Sequence, residues 1–163
     1  MALGRRAGEQ QAMWVVTTEL ARSPGHPFYD ALNRLLRDED FDRRVEVLCE
    51  PFYAKCGRPS VPPGTYFRMR FIGYFEGIDS QRGIAWRCAD SLSLRDFLGI
   101  APTARMPDHS TMTLIRQRLP LTVDEQVFQM VLELAAGERL IDGKTIGVDA
   151  TLLEATPTAG SRG

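Results

Sequence analysis

Thr65-Tyr66-Phe67-Arg68-Met69-Arg70-Phe71-Ile72-Gly73-Tyr74-Phe75-Glu76-Gly77 is the stretch on which the fold turns. Phe67, Phe71, Tyr74, Phe75 and Ile78 recur at i, i+4, i+7, i+8 and i+11, one face of a helical period, and Met69 and Ile72 widen that face. A helix this apolar is central to a small bundle. Gly73 and Gly77 each cost about 1 kcal/mol relative to alanine in a helix interior, which is tolerable where another helix packs closely. An aromatic stripe at this spacing reads as core, not as a ligand box.

Working outward, the chain upstream gives two more helical patterns. Phe28, Leu32, Leu35 and Leu36 form one, with Asp30, Arg34 and Arg37 opposite. Phe41, Val45, Leu48 and Phe52 form the next, with Asp40 as its expected N-cap and Pro51 as a break near its end. The Pro/Gly-rich run of residues 55–64 is a connector. Downstream, Ser80 caps a helix over residues 81–89, with Ile84, Ala85 and Cys88 inward and Arg82 and Arg87 outward. Leu94, Phe97 and Leu98 form a short helix ended by Gly99. After a loop at residues 100–107, Asp108, His109, Ser110 and Thr111 supply several N-caps for a helix to Arg118, which Pro120 stops. Thr122-Val123-Asp124-Glu125 reads as a capping box opening a long amphipathic helix through Val123, Val127, Met130, Val131, Leu134 and Ala135, with Gly137 as its stop.

The chain has 163 residues, 44% of them hydrophobic and 25% charged, enough for one domain-sized core. The net charge of -1 hides an uneven layout. Residues 1–67 balance nine basic against nine acidic side chains, residues 68–118 carry eight arginines against five acids, and residues 119–163 carry three basic against seven acidic groups. A nucleic acid would therefore be met in the middle third. Cys49, Cys56 and Cys88 form no C-x-x-C, so they read as buried or inert thiols rather than a disulfide framework or zinc site. No apolar run is long enough for a secretory signal or a membrane span, and the expected compartment is the cytoplasm.

Near the end, Ile146-Gly147-Val148-Asp149-Ala150-Thr151 alternates as a short strand does. A carboxylate such as Asp149 at the end of a strand can hold a divalent cation on rigid backbone, but such a metal usually needs a second ligand group. By spacing alone, Asp149 reads first as a solvated strand or turn residue, and the metal reading comes second. The layout expected is a loose leader at residues 1–25, a helical domain at 26–137 and one strand with a tail at 138–163, a mainly α chain.

Four phrases, in this order and spacing, resemble the N-terminal half of bacterial insertion-sequence transposases of the DDE class. They are Cys56-Gly57-Arg58-Pro59-Ser60; the run DSQRGIAWRCADSLSLRDFLG from Asp79 to Gly99; Pro107-Asp108-His109-Ser110-Thr111 with Arg116-Gln117-Arg118-Leu119; and Gly143 to Thr151. The resemblance implies a helical domain that recognises the element's terminal inverted repeats, followed by a ribonuclease-H-like core whose first strand carries a catalytic aspartate. On that match Asp149 is the catalytic residue and metal ligand, with Mg2+ or Mn2+ as the ion of the complete enzyme. The second aspartate and the glutamate of such a site have no counterpart here, because the sequence stops fourteen residues after Asp149. Its last residues, Thr156 to Gly163, read as a shifted frame or artificial end. A truncated transposase, inactive alone and without a stably bound metal, is the expectation.

The expected DNA contacts lie on the helix after Pro107. Ser110 and Thr111 at its start offer backbone N–H groups to a phosphate, Arg116 and Arg118 lie further along, and Gln117 can reach a base edge if its face is exposed. The helix around Leu94 to Leu98 is the candidate support of a helix-turn-helix, although the loop between them is long for that motif. The bland alternative is that these arginines are solvated surface charges. The competing functional class is an interaction fragment that dimerises with, or titrates, a full-length transposase, or else a decayed gene product.

Overall fold

The computed structural model describes residues 25–54, 56, 57 and 59–141, and among them it holds seven α-helices and no strand. They are α1 (Pro27–Asp38), α2 (Phe41–Cys49), α3 (Pro63–Glu76), α4 (Gln81–Ala89), α5 (Leu92–Leu98), α6 (His109–Arg118) and α7 (Leu121–Gly137), with a 3-10 turn at Glu50–Phe52 after α2. The mainly α expectation holds. The expected strand with Asp149, and all but the last residue of the expected leader, lie outside the described residues.

α3 lies against α2, α4 and α5, while α1 packs on α2, α5 and α7. Tyr66, Phe67, Met69, Phe71 and Ile72 are all at most 1% exposed. The ring of Phe71 meets Phe41 of α2 and Phe128 of α7, at 5.8 and 5.0 Å between centroids, and Phe75 meets Phe28 of α1 at 4.8 Å. α3 is thus the shared wall of the core, as its apolar period requires. Burial extends even to Arg68, whose guanidinium forms a two-pronged pair with Asp42 and lies 5.1 Å from the Phe41 ring centre.

The two glycines of α3 have different reasons. Gly73 is buried, and a Cβ there would stand 2.4 Å from Cδ1 of Ile84 on α4, so its missing side chain lets the helices approach. Gly77 is not interior: it is the C-cap, at φ 66, where its N–H and that of Ile78 close the helix onto the carbonyls of Tyr74 and Gly73. The helix-interior cost expected at Gly77 therefore does not apply.

Three helix ends also depart from expectation. Asp40 adopts a left-handed conformation (φ 51, ψ 40) and its side chain caps nothing. Only Glu39 and Asp40 separate α1 from α2, and that reversal needs a left-handed residue, which aspartate tolerates. The Thr122 box does not form, because α7 starts directly after Pro120, whose carbonyl receives the N–H of Val123. At the far end Gly137 is still helical, and Arg139 takes the left-handed position at φ 56. Ser80 and Ser91 do cap α4 and α5, accepting from the N–H of Gly83 and Leu94.

Cys49 and Cys88 are buried, and burial pushes their thiols up to about 11 and about 12, which keeps them inert; Cys56 is exposed. No helix among the described residues is long and apolar enough to cross a membrane.

Gly73→Ala is expected to lower stability by about 1 kcal/mol, because overpacking against Ile84 outweighs the gain in helix propensity. Urea denaturation should read the loss as a lower midpoint at an unchanged slope.

Candidate nucleic-acid interface

α6 carries every described residue of the expected DNA-binding set. It buries Met112 and Ile115, and the helix it packs against most closely is α4. The hydroxyl of Thr113 donates to Oε1 of Gln81 at 2.8 Å across that contact. α4 rather than α5 is therefore the main support of α6, and Leu94–Leu98 does not take the supporting place expected of it in a helix-turn-helix. The intervening loop is held as a separate unit: one nitrogen of Arg95 donates to the carbonyls of Ala101, Pro102 and Ala104 at 3.0 to 3.1 Å.

The start of α6 also corrects the expected phosphate site. Asp108 is the N-cap, and its carboxylate accepts the N–H of Thr111 at 2.8 Å. That bond, with further help from the Thr111 and Ser110 hydroxyls and from His109, holds the Asp108 carboxyl below its usual value. An ionised carboxylate thus stands at this helix N-terminus and already holds one of the N–H groups expected to meet a phosphate. The N–H of Thr111 is not free, and Ser110 is not the cap; its side chain is exposed.

The rest of α6 remains available. Ser110, Leu114 and Gln117 follow at i, i+4 and i+7 and are all exposed, forming one outward stripe with Leu114 at 62% exposure. Arg118 is exposed on the side of the 3-10 turn, with its guanidinium 4.8 Å from the centre of the Tyr53 ring. Arg116 turns toward a cleft between α3, α4 and α7. Sequence reasoning missed Leu114, although its position off the Met112–Ile115 face was legible from the period. It also missed Arg70, which local pattern places on a core helix.

The basic excess of the middle third shrinks once its partners are known. Arg68 is bound to Asp42, Arg70 lies 3.8 Å from Asp124, Nε of Arg87 donates to Glu76 at 2.6 Å, and Arg95 holds the loop. The exposed remainder is Arg82, Arg105, Arg116 and Arg118, two of them on α6.

Asp124 of α7 is buried, and its Oδ1 has no hydrogen-bond partner among the described residues. Burial raises its carboxyl above the ordinary 3.8, the charges of Arg70 and Arg116 oppose the rise, and Glu125 adds to it. No group of three or more His, Cys, Asp or Glu side chains among the described residues could hold a metal ion, and Asp149 lies outside them.

The fold and site together define an all-α domain with an exposed polar stripe on one face of α6 and a cleft beside it. Residues 17–118 match the family model described as Transposase domain (DUF772), and the chain belongs to that family. The match runs from α1 through α6, and α7 lies beyond it. No curated protein and no solved structure matches the chain.

Two outcomes follow. Asp108→Ala should lower the thermal midpoint by unfastening α6, whereas Ser110→Ala should change stability by less than about 0.5 kcal/mol. For Asp124 the raised folded value means that its contribution is full below 3.8 and is lost as pH rises through the folded value. Urea denaturation from acid to neutral pH should therefore show Asp124→Asn gaining on the wild type as pH rises.

Proposed function

We propose that this helical transposase domain binds the terminal inverted repeats of an insertion sequence, with α6 as the reading element. The observation that carries the reading is the outward stripe of Ser110, Leu114 and Gln117, flanked by the exposed Arg118, on a helix whose opposite face is fixed to α4. These residues supply what base and backbone recognition need. An amide can meet an adenine edge through two hydrogen bonds, an apolar side chain can meet a thymine methyl, and a guanidinium can meet a phosphate. A rigid helix carries them all. On this reading Mg2+ or Mn2+ belongs with Asp149 in a catalytic core, and repeat binding by the helical domain continues in the presence of a chelator.

The test is anisotropy with a repeat-end duplex and a scrambled duplex across a salt series. Gln117→Ala should relax preference at one base position at a cost of about 1–3 kcal/mol. Arg118→Ala should weaken binding to both duplexes alike and lower the salt slope by about 1. Equal and weak binding to both duplexes by the wild type overturns the reading. It leaves the alternative of a protein partner, a second copy or a full-length transposase, which the exposure of Trp86 (69%) and Leu121 (70%) favours.

A further inference from the structure

Beside the outward stripe of α6 lies a cleft of about 460 Å³ whose lining includes Arg70 and Tyr74 of α3, Asp79 and Gln81 at the start of α4, Arg116 of α6 and Phe128 of α7. Four helices thus converge on one opening that two arginines line.

Arg70 is aimed before any ligand arrives. Its guanidinium carbon lies 5.6 Å from the Phe128 ring centre, and one nitrogen donates to the Tyr66 hydroxyl at 3.4 Å. The same nitrogen stands 3.8 Å from Oδ2 of Asp124, an ion pair too long to be a hydrogen bond. This differs from Arg68, two residues earlier on the same helix, which makes two hydrogen bonds to Asp42. Arg116 is exposed, and its charge, like that of Arg70, acts on the buried Asp124 carboxyl without a direct hydrogen bond to it among the described residues. The cleft therefore presents two planar donor forks with most of their N–H groups unused.

We propose that the cleft is a phosphate site in which Arg70 and Arg116 hold one phosphate group between them. Two forks converging on a single tetrahedral anion suit a phosphate, whose oxygens accept several charge-assisted hydrogen bonds. The apolar wall is built by Tyr74 and Phe128, whose rings meet edge to face at 5.7 Å, and the amide of Gln81 lines the same opening. The volume leaves room for the sugar attached to the phosphate. Asp79 opposes the anion and sets its affinity low, which suits one contact among several along a backbone. Arg116 directly precedes Gln117, so the phosphate would anchor the duplex at the flank of the reading stripe. This last step rests on the proposal that α6 meets DNA; the phosphate site itself does not.

The experiment has a DNA arm and a free-phosphate arm. In the first, Arg116→Gln and Arg70→Lys should each weaken binding to the repeat duplex several-fold at low salt. Because both residues hold the same group, the double variant should lose little more than the worse single one, and the salt slope should fall by about 1 rather than 2. In the second arm, calorimetry with inorganic phosphate and with dTMP should show weak binding that Arg116→Gln removes and Asp79→Asn strengthens. Loss in the phosphate arm with unchanged DNA binding identifies a free nucleotide or phosphate as the ligand and keeps the site. Multiplying losses in the double variant, or no effect of Arg116→Gln in either arm, overturns the proposal. Gln117→Ala, assayed alongside, separates the two readings: relaxed base preference with inert cleft variants sinks the cleft alone. A wild type that binds phosphate but neither duplex sinks the reading of α6 alone. Arg116 is exposed and reaches Asp124 only through its charge, so its variant is expected to stay folded, and a thermal melt of each variant checks this before binding is read.

Discussion

The pairing of Arg68 with Asp42 is the interaction on which this bundle depends. α3 is enclosed on almost every side, so an arginine in its first half has to find its counter-charge inside the fold. Breaking a buried ion pair costs about 3–5 kcal/mol, and the half-exposed side of Asp42 reduces that figure here. The pair ties α3 to α2, places the Phe41 ring under the guanidinium, and sets the register in which Phe71 reaches both Phe41 and Phe128. On the opposite flank the bare backbone of Gly73 admits Ile84 and lets α4 approach. α6 is then placed by α4, so the candidate interface is two packing steps away from the pair that anchors the core.

The same enclosure decides which charges remain for a partner. A positive excess along a sequence says where basic residues occur, but each buried helix consumes some of them as internal counter-ions. Arg68, Arg87 and Arg95 are engaged within the bundle, whereas Arg116 and Arg118 project from a helix buried on one side only. Arg70 falls between these cases, with a counter-ion close enough to orient it and too far to saturate its donors. Membership of the transposase-domain family fits an interface made in this way, on the last helix that the family model spans.

Much of the fold was legible in advance. The 3.6-residue period around Phe67 to Ile78 marked the central helix, Ser80 marked the start of α4, and Gly99 the end of α5, because each rests on local geometry that a few neighbouring residues decide. The ends left open or misplaced are those where two local solutions compete. Asp108 and Ser110 can both cap, and the residue standing one turn before the first buried position, Met112, does so. Thr122 had the pattern of a cap, but burial of Val123 and Asp124 required the helix to begin at Leu121.

By itself, the sequence determined the class of fold, the identity of the core helix, the placement of the likeness to transposases and the candidate residues Arg116, Gln117 and Arg118. Only the tertiary structure decided that Asp108 caps the N-terminus of α6, that α4 rather than α5 is its main support, and that Arg70 shares a cleft with Arg116. The physical reason is range. Periodicity and capping act over one or two helical turns and are written in consecutive residues. Charge partners and clefts join residues dozens of positions apart, and they exist only once the helices have packed.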